Sequence, residues 1–361
     1  MKKITTLLLT ISLALPVFSQ KRGHIAIPNL NGFVTLKADF HIHTIFSDGT
    51  VWPTVRVDEA YREGLDVISI TDHIEESFQI RRRYVTGSRN SSYEIAKAHA
   101  QGKGIMVVRG GEISRRMPPG HLNAIFLTDA EELNKPDYMD ALRAAKAQGA
   151  FIFWCHPGWD AQQPDTTLWF DEHTKILEQG LMHGIEVVNE TSYYPEAHGW
   201  CLEKNLTMVG SLDVHEPVQS VVDFAKGQRR PMTLVFAREA TPESVREALF
   251  ARRTAVYNGG TVIGEEKYLK ELFENALEWD FRRSENAVHI TVKNNSDLVF
   301  RLKKANHDPR LVYFRNFTIE PQSKHSFTVR FREGAASGDV NFIVENFLVG
   351  PNKGMSYTIK L

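Results

Sequence analysis

The sequence predicts an α/β chain in which parallel strands are joined by helical crossovers, followed by a small antiparallel β-sandwich. Three observations predict it. From about Leu36 to Ala251, short apolar β-rich runs alternate with longer amphipathic stretches. After about Asp280, apolar and polar residues alternate between turn clusters such as Asn294-Asn295-Ser296-Asp297. At 361 residues the chain exceeds what a single core uses, so two domains are expected.

The first segment stands outside the fold. Lys2 and Lys3 precede an apolar run from Ile4 to Val17, and Ser19 is followed by the basic Lys21 and Arg22. That is the layout of a cleavable secretory signal over residues 1–19, which implies an exported, periplasmic or secreted protein. The run is shorter than the roughly 20 residues that span a bilayer, so no membrane attachment is expected after cleavage.

Strands are then predicted at 36–42, 67–71, 105–109, 121–127, 151–154, 185–188, 207–210 and 232–236. Helices fall at 54–63, 93–101, 138–148, 195–204 and 242–251, several opened by Pro or a small polar residue and closed by Gly or Asn. Either a barrel or an open doubly wound sheet satisfies this alternation. The barrel part is assigned to 20–265, a linking helix to 266–282 and the sandwich to 283–361, with strands at 287–293, 298–302, 317–319, 325–331, 340–345 and 355–361.

The 43 basic and 44 acidic residues leave no electrostatic footprint for nucleic acid or an anionic surface. Cys155 and Cys201 both lie in apolar surroundings and read as buried thiols. No Gly-rich nucleotide cradle and no Gly-x-Ser-x-Gly elbow is present, which argues against kinase and serine-hydrolase chemistry.

Metal-capable residues recur at strand ends. His41 and His43 close the first strand, where a spacing of two puts both imidazoles on one face, and Asp48 follows in Ser47-Asp48-Gly49. Asp72-His73, Glu112, His121, His156 and Asp213-x-His215 each sit beside a later strand. In parallel α/β architectures such residues converge at the carboxyl ends of the strands. Six histidines and three carboxylates exceed the needs of one ion, and three metals sharing a bridging carboxylate is the economical count. Imidazole with carboxylate suits Zn, Mn or Fe rather than Ca. His24, His99, His173, His183, His198, His289, His307 and His325 lack this placement, with His198 alone a candidate to support a ligand.

In order along the chain, His41-x-His43 with Ser47-Asp48-Gly49, Thr71-Asp72-His73, Gly111-Glu112, Gly120-His121, His156-Pro157 and Asp213-x-His215 resemble the motifs of the polymerase and histidinol phosphatase (PHP) superfamily. The resemblance covers roughly residues 36–256 and implies a distorted (β/α)7 barrel with a trinuclear site. By motif, one metal would take His41, His43, Glu112 and Asp213, a second Glu112, His121 and His156, and a third Asp48, His73 and His215. Glu112, Asp213 and His215 form the implied catalytic set. Asp39 and Asp72 flank ligating histidines, where a carboxylate either fixes an imidazole tautomer or makes a surface salt link. Arg115 and Arg116, or Arg81-Arg82-Arg83, are candidate cations for a phosphoryl group.

Clustered divalent ions suit phosphoryl transfer to water, because they activate a bridging water and stabilise the leaving oxygen. Export and the extra β-domain resemble the arrangement of secreted PHP phosphodiesterases, so a small phosphodiester is the expected substrate. A phosphomonoesterase, a metal-dependent exonuclease and a non-catalytic surface-binding protein are the alternatives. The β-domain is expected to cover the barrel or mediate contacts in a monomer or homodimer.

Overall fold

A computed structural model of the chain describes residues 21–75, 85 and 87–361, so the signal-like segment and Arg81-Arg82-Arg83 lie outside the described residues. The first half runs β1 (Val34–Asp39), α1 (Pro53–Glu63), β2 (Val67–Ile70), α2 (Ser91–Ala100), β3 (Met106–Ile113), β4 (Leu122–Ile125), α3 (Tyr138–Ala147) and β5 (Phe151–Trp154). It continues with α4 (Asp171–Glu178), β6 (Gly184–Asn189), β7 (Ser192–Tyr193), α5 (Pro195–Lys204), β8 (Thr207–Ser211), β9 (Met232–Ala237), α6 (Pro242–Phe250), β10 (Thr254–Asn258) and β11 (Thr261–Gly264). Helices start where the sequence satisfies their free N–H groups. Pro53, Pro195 and Pro242 occupy first-turn positions that need no donor, and the Asp137 carboxylate accepts from Met139 and Asp140 at the head of α3. α1 stops at Gly64, whose φ of 82° only glycine adopts without cost.

Strands β1, β2 and β3 pair in parallel, as do β5, β6 and β8. The strict parallel arrangement expected from the alternation is broken twice. β4 runs antiparallel to both β3 and β5, and β9 antiparallel to β1. The link 114–121 carries no helix, so it is too short for a crossover and turns the chain back on itself. Reversal brings the start of β4, rather than its finish, to the end of the barrel where its neighbours finish.

The ring is closed between β8 and β9 by a side chain. Thr233 Oγ1 accepts from Gly210 N–H and donates to Gly210 O, both at 2.9 Å. Gly210 has to be glycine, since an added Cβ would meet Val256 Cγ1 at 2.2 Å. Ala38, Phe40, Val67, Val108, Ile125, Phe151, Phe153, Val209 and Val235, drawn from around the ring, form one buried cluster that fills the barrel.

α7 (Glu266–Ala276) leads straight into β12 (Leu277–Ser284), followed by β13 (Ala287–Asn294), β14 (Phe300–Lys304), β15 (Leu311–Val312), β16 (Asn316–Ile319), β17 (Lys324–Phe331), β18 (Asp339–Gly350) and β19 (Lys353–Lys360). The linking helix therefore ends at Ala276, short of the expected 282. Leu277 continues the helical stripe of Leu269, Leu272 and Phe273 and also begins the alternation Leu277, Trp279, Phe281, and full pairing of β12 with β13 decides for the strand. One sheet of the sandwich is β12-β13-β17-β15, and the other contains β16, β14, β18 and β19. The far half of β18 pairs in parallel with β11, Val262 opposite Phe347 and Ile263 opposite Leu348, so barrel and sandwich share a sheet. Among the described residues, no helix is long and apolar enough to cross a membrane.

Replacing Thr233 by Val keeps shape but strands the N–H and C=O of Gly210 at the closure. The expected loss is about 2–4 kcal/mol of unfolding free energy, read from the shift in urea midpoint at unchanged m-value.

Candidate metal centre

The nine residues singled out at strand ends meet in one place. His41 and His43 follow β1 and are drawn toward the segment after β8: Asp213 N–H donates to His41 O and His43 N–H to Val214 O, each at 3.1 Å. Beside them, His73 bridges in parallel to Glu112 at the end of β3, with Ile74 N–H on Glu112 O at 2.8 Å. His121 arrives through the reversed β4, and His156 follows β5. His156 and Asp213 have φ of 29° and 54°, a left-handed backbone that non-glycine residues hold only where surrounding structure imposes it.

Glu112 lies at the centre, fully buried. Its Oε1 faces His121 Nδ1 at 2.7 Å and His156 Nε2 at 3.5 Å. Its Oε2 faces His73 Nδ1 at 2.9 Å, His43 Nε2 at 3.4 Å and His41 Nε2 at 3.5 Å. Asp213 Oδ1 stands 3.1 Å from His41 Nε2 and 3.0 Å from His43 Nε2. On the other side, Asp48 Oδ2 is 3.2 Å from His215 Nε2 and 3.4 Å from His73 Nε2.

The protonation pattern follows from this crowding. Burial pushes the pKa of Glu112 upward, but His73, His121 and His41 outweigh it and hold the carboxyl well below its usual range. Burial likewise pulls His41 down, and Asp213 and Glu186 reverse that and carry it well above the ordinary histidine value. His43 falls to about 4, through burial and then the neighbouring His73 and His215. The site keeps its carboxylates charged and calls for positive charge beside them.

A divalent ion fits that demand on two counts. His41 Nε2, His43 Nε2, Glu112 Oε2 and Asp213 Oδ1 are buried and have no hydrogen-bond partner, although they converge. The two imidazole nitrogens lie 3.0–3.5 Å from the two carboxylate oxygens, the edge length of a tetrahedron with metal–ligand bonds of about 2.0–2.1 Å. Further donor groups that could hold an ion are His43, Asp48, His73 and His215 on one side, and His73, Glu112 and His121 on the other.

The supporting layer differs from the sequence expectation. Asp39 touches no imidazole: its Oδ2 accepts from Arg230 Nη1 at 2.8 Å, its Oδ1 from the His41 backbone N–H at 3.2 Å, and burial raises its pKa to about 6 despite Arg230. Asp72 is buried and bonds the Thr44 N–H (2.7 Å), Thr44 Oγ1 (2.7 Å) and Ser47 Oγ (2.8 Å), so it braces the loop that carries Asp48. In both cases nearer donors hold the carboxylate: the Arg230 guanidinium for Asp39, and the Thr44 N–H with the Thr44 and Ser47 hydroxyls for Asp72. Arg115 is turned onto Glu75 and the carbonyls of Ser114 and Lys135, and Arg116 is exposed; neither lines the cavity. His198 bonds Tyr193 rather than a ligand.

Two residues missed in the sequence take these roles. Glu186, buried in the middle of β6, places Oε1 2.9 Å from His41 Nδ1, while Oε2 accepts from the His156 N–H (2.7 Å) and Asn189 Nδ2 (2.9 Å). A carboxylate inside the apolar run Ile185-Glu186-Val187-Val188 was the available signal. Arg56, buried on α1, donates to the carbonyls of His43, Val214, His215 and Glu216, clamping the first ligand loop to the last. Nothing in its helical pattern distinguishes it from a solvated arginine.

The cluster opens into a cavity of about 460 Å³, also lined by Ser114, Trp159, Asp160, Asn189, Glu190, Ser192 and Tyr194. Among the described residues, no lysine or arginine lines it. A separate cavity of about 500 Å³ beside α1, near Arg62 and Gln228, contains none of the nine residues.

Fold and site together define an α/β barrel with a histidine- and carboxylate-lined cavity suited to divalent metal, joined to a β-sandwich. A family model described as an Ig-like domain matches residues 280–360. Among solved structures, the chain is similar to a two-domain protein from Bacteroides vulgatus described as containing a predicted PHP-like metal-dependent phosphoesterase. Identity is 51%, the TM-score 0.93, and the match covers 95% of this chain and 100% of that one. A protein from Bifidobacterium adolescentis described as a putative metal-dependent phosphoesterase (17% identity, TM-score 0.38, 49% of this chain and 87% of that one) and one from Chromobacterium violaceum described as an amidohydrolase (15%, 0.38, 51% and 89%) are distant matches. Among functionally curated proteins none matches. The chain belongs to the family of two-domain PHP-like metal-dependent phosphoesterases.

Glu186→Gln keeps the size of the side chain but withdraws the charge behind His41. Metal affinity, measured by competition with a chromogenic chelator, is expected to fall about 10–100-fold with little change in unfolding temperature.

Proposed function

We propose that this protein hydrolyses phosphate esters, small phosphodiesters ahead of monoesters, with divalent ions held by His41, His43, Asp48, His73, Glu112, His121, His156, Asp213 and His215. The observation that carries the proposal is the set of buried, converging and unpartnered atoms around Glu112 and Asp213. Three ions are the count we favour, because the two oxygens of Glu112 face different histidines and the Asp48, His73 and His215 group stands to one side. Zn, Mn or Fe suits the imidazole and carboxylate donors. Bound ions of this kind activate a water and neutralise charge on the phosphoryl oxygens.

The chain's own residues then orient and select. Glu112 spans the donor groups, Asp213 joins His41 and His43, and His215, fixed by its Nδ1 on Asp213 O at 2.8 Å, turns Nε2 toward Asp48. Asp160 and Glu190 at the mouth, with no lysine or arginine among the described lining residues, disfavour the second negative charge of a monoester. Trp159, 44% exposed and packed against His121 and His156, offers an apolar wall to an organic substituent. Export of the protein to the periplasm or beyond is part of this reading, supported by the charged and then apolar N-terminal segment.

Metal-loaded protein is expected to turn over bis(p-nitrophenyl) phosphate faster than p-nitrophenyl phosphate, to lose both activities on chelation, and to bind about three transition-metal equivalents by elemental analysis. A clear preference for the monoester would defeat the diesterase assignment. Undiminished activity without bound metal would defeat the mechanism.

A further inference from the structure

One wall of the cavity is a small hairpin. β6 and β7 pair antiparallel, Val188 opposite Tyr193 and Asn189 opposite Ser192. Four of its residues, Asn189, Glu190, Ser192 and Tyr194, line the cavity. Asn189 also reaches inward, its Nδ2 donating to Glu186 Oε2 at 2.9 Å and to Asp213 Oδ2 at 3.3 Å. At the tip, Glu190 holds φ of 51°, a conformation that a non-glycine residue keeps only when neighbours impose it.

Glu190 N–H is held by Ser211 O of β8 at 3.1 Å, and the hairpin has a further contact outside the barrel. The side chain opposite Val188, Tyr193, points away from the cavity lining and meets the turn between β18 and β19. Its hydroxyl oxygen accepts from Asn352 N–H at 3.4 Å and is 2.9 Å from His198 Nδ1. Burial lowers His198 to about 4, so the ring is neutral at ordinary pH. Pro351 approaches α5 closely, its Cγ 3.4 Å from where a Cβ on Gly199 would stand. The turn itself is stiff, with Pro351 followed by a left-handed Asn352 at φ of 53°. Leu348, just upstream, packs into the same apolar cluster as Tyr193 and Trp200, and the pairing of β18 with β11 fixes the height of the turn against the barrel.

We infer that the β18–β19 turn of the Ig-like domain is a positioning element of the active site, which props the β6–β7 hairpin from behind and thereby sets where Asn189, Glu190 and Tyr194 meet the substrate. The Ig-like domain is on this account part of the substrate-binding wall, and Tyr193 is the positioning residue that transmits its support. None of these groups touches a metal donor except Asn189, so the support acts on substrate binding more than on metal retention.

The test uses the full-length, metal-loaded chain with Tyr193→Phe, which removes only the hydroxyl, and Pro351→Gly, which loosens the turn and lifts its ring from α5 while leaving every barrel residue unchanged. Hydrogen–deuterium exchange at residues 189–194 is expected to quicken about tenfold in both. KM for bis(p-nitrophenyl) phosphate is expected to rise about fivefold, with kcat and bound metal within about twofold of wild type. Unchanged exchange in both variants overturns the inference, as does a parallel fall in kcat, metal content and unfolding temperature, which is the signature of general destabilisation. The kinetic arm rests on the proposed phosphodiesterase activity and the exchange arm does not. A wild-type protein inert toward phosphodiesters would therefore sink that activity while exchange alone still decided the role of the turn.

Discussion

A carboxylate buried without compensation costs several kcal/mol, and the end of this barrel is arranged around one. Glu112 has no exposed surface, and its oxygens face imidazoles from after β1, β2 and β5 and from the start of β4. His73, His121 and His41 favour the charged carboxylate. Removing any one leaves the rest with a charge that the protein interior does not screen. The strained backbone at His156 and Asp213 is consistent with that economy, since local cost is tolerated where it completes the charge balance.

Two buried arginines hold the loops that carry this cluster. Arg56 collects carbonyls from both sides of the first and last ligand segments, with Glu59 as its counter-ion at 2.9 Å. Arg230 spans Asp39 and Glu63, tying the strand before the first histidine pair to α1. A guanidinium suits both tasks because its planar fork bonds several acceptors at once and stays charged when buried. These contacts place positive charge behind the ligand loops while leaving the cavity itself free of described lysine or arginine.

The convergence of the nine residues was legible because it depends on a local rule, residues at strand ends, that needs no knowledge of the partners. The order of strands and helices was legible for the same reason, with α5 found at its observed limits and α4 overlooked because Asp171–Glu178 is short. Reversal of β4 escaped, since periodicity carries no direction, yet His121 was placed correctly at its start. Asp39, Asp72 and Arg115 show where proximity in sequence misleads: a polar side chain bonds whatever the fold brings nearest, and for these it was backbone, a hydroxyl or another charge. Glu186 and Arg56 act through contacts more than a hundred residues away in sequence, which no local pattern encodes. The two cysteines, free and buried with their thiols pushed up by burial, match the reading from their apolar neighbours.

The shared strand pair between barrel and sandwich also bears on how the chain is made. Val262 and Ile263 gain their outer neighbour only after Phe347 and Leu348, far downstream in the sequence, have left the ribosome. Until then a nascent polypeptide carries an apolar β edge with unsatisfied amides, the kind of surface that recruits strands from other chains. Maturation thus waits on a contact between distant parts of the sequence, a slow event by the logic of loop closure. A tail cut short would leave that edge permanently open to self-association.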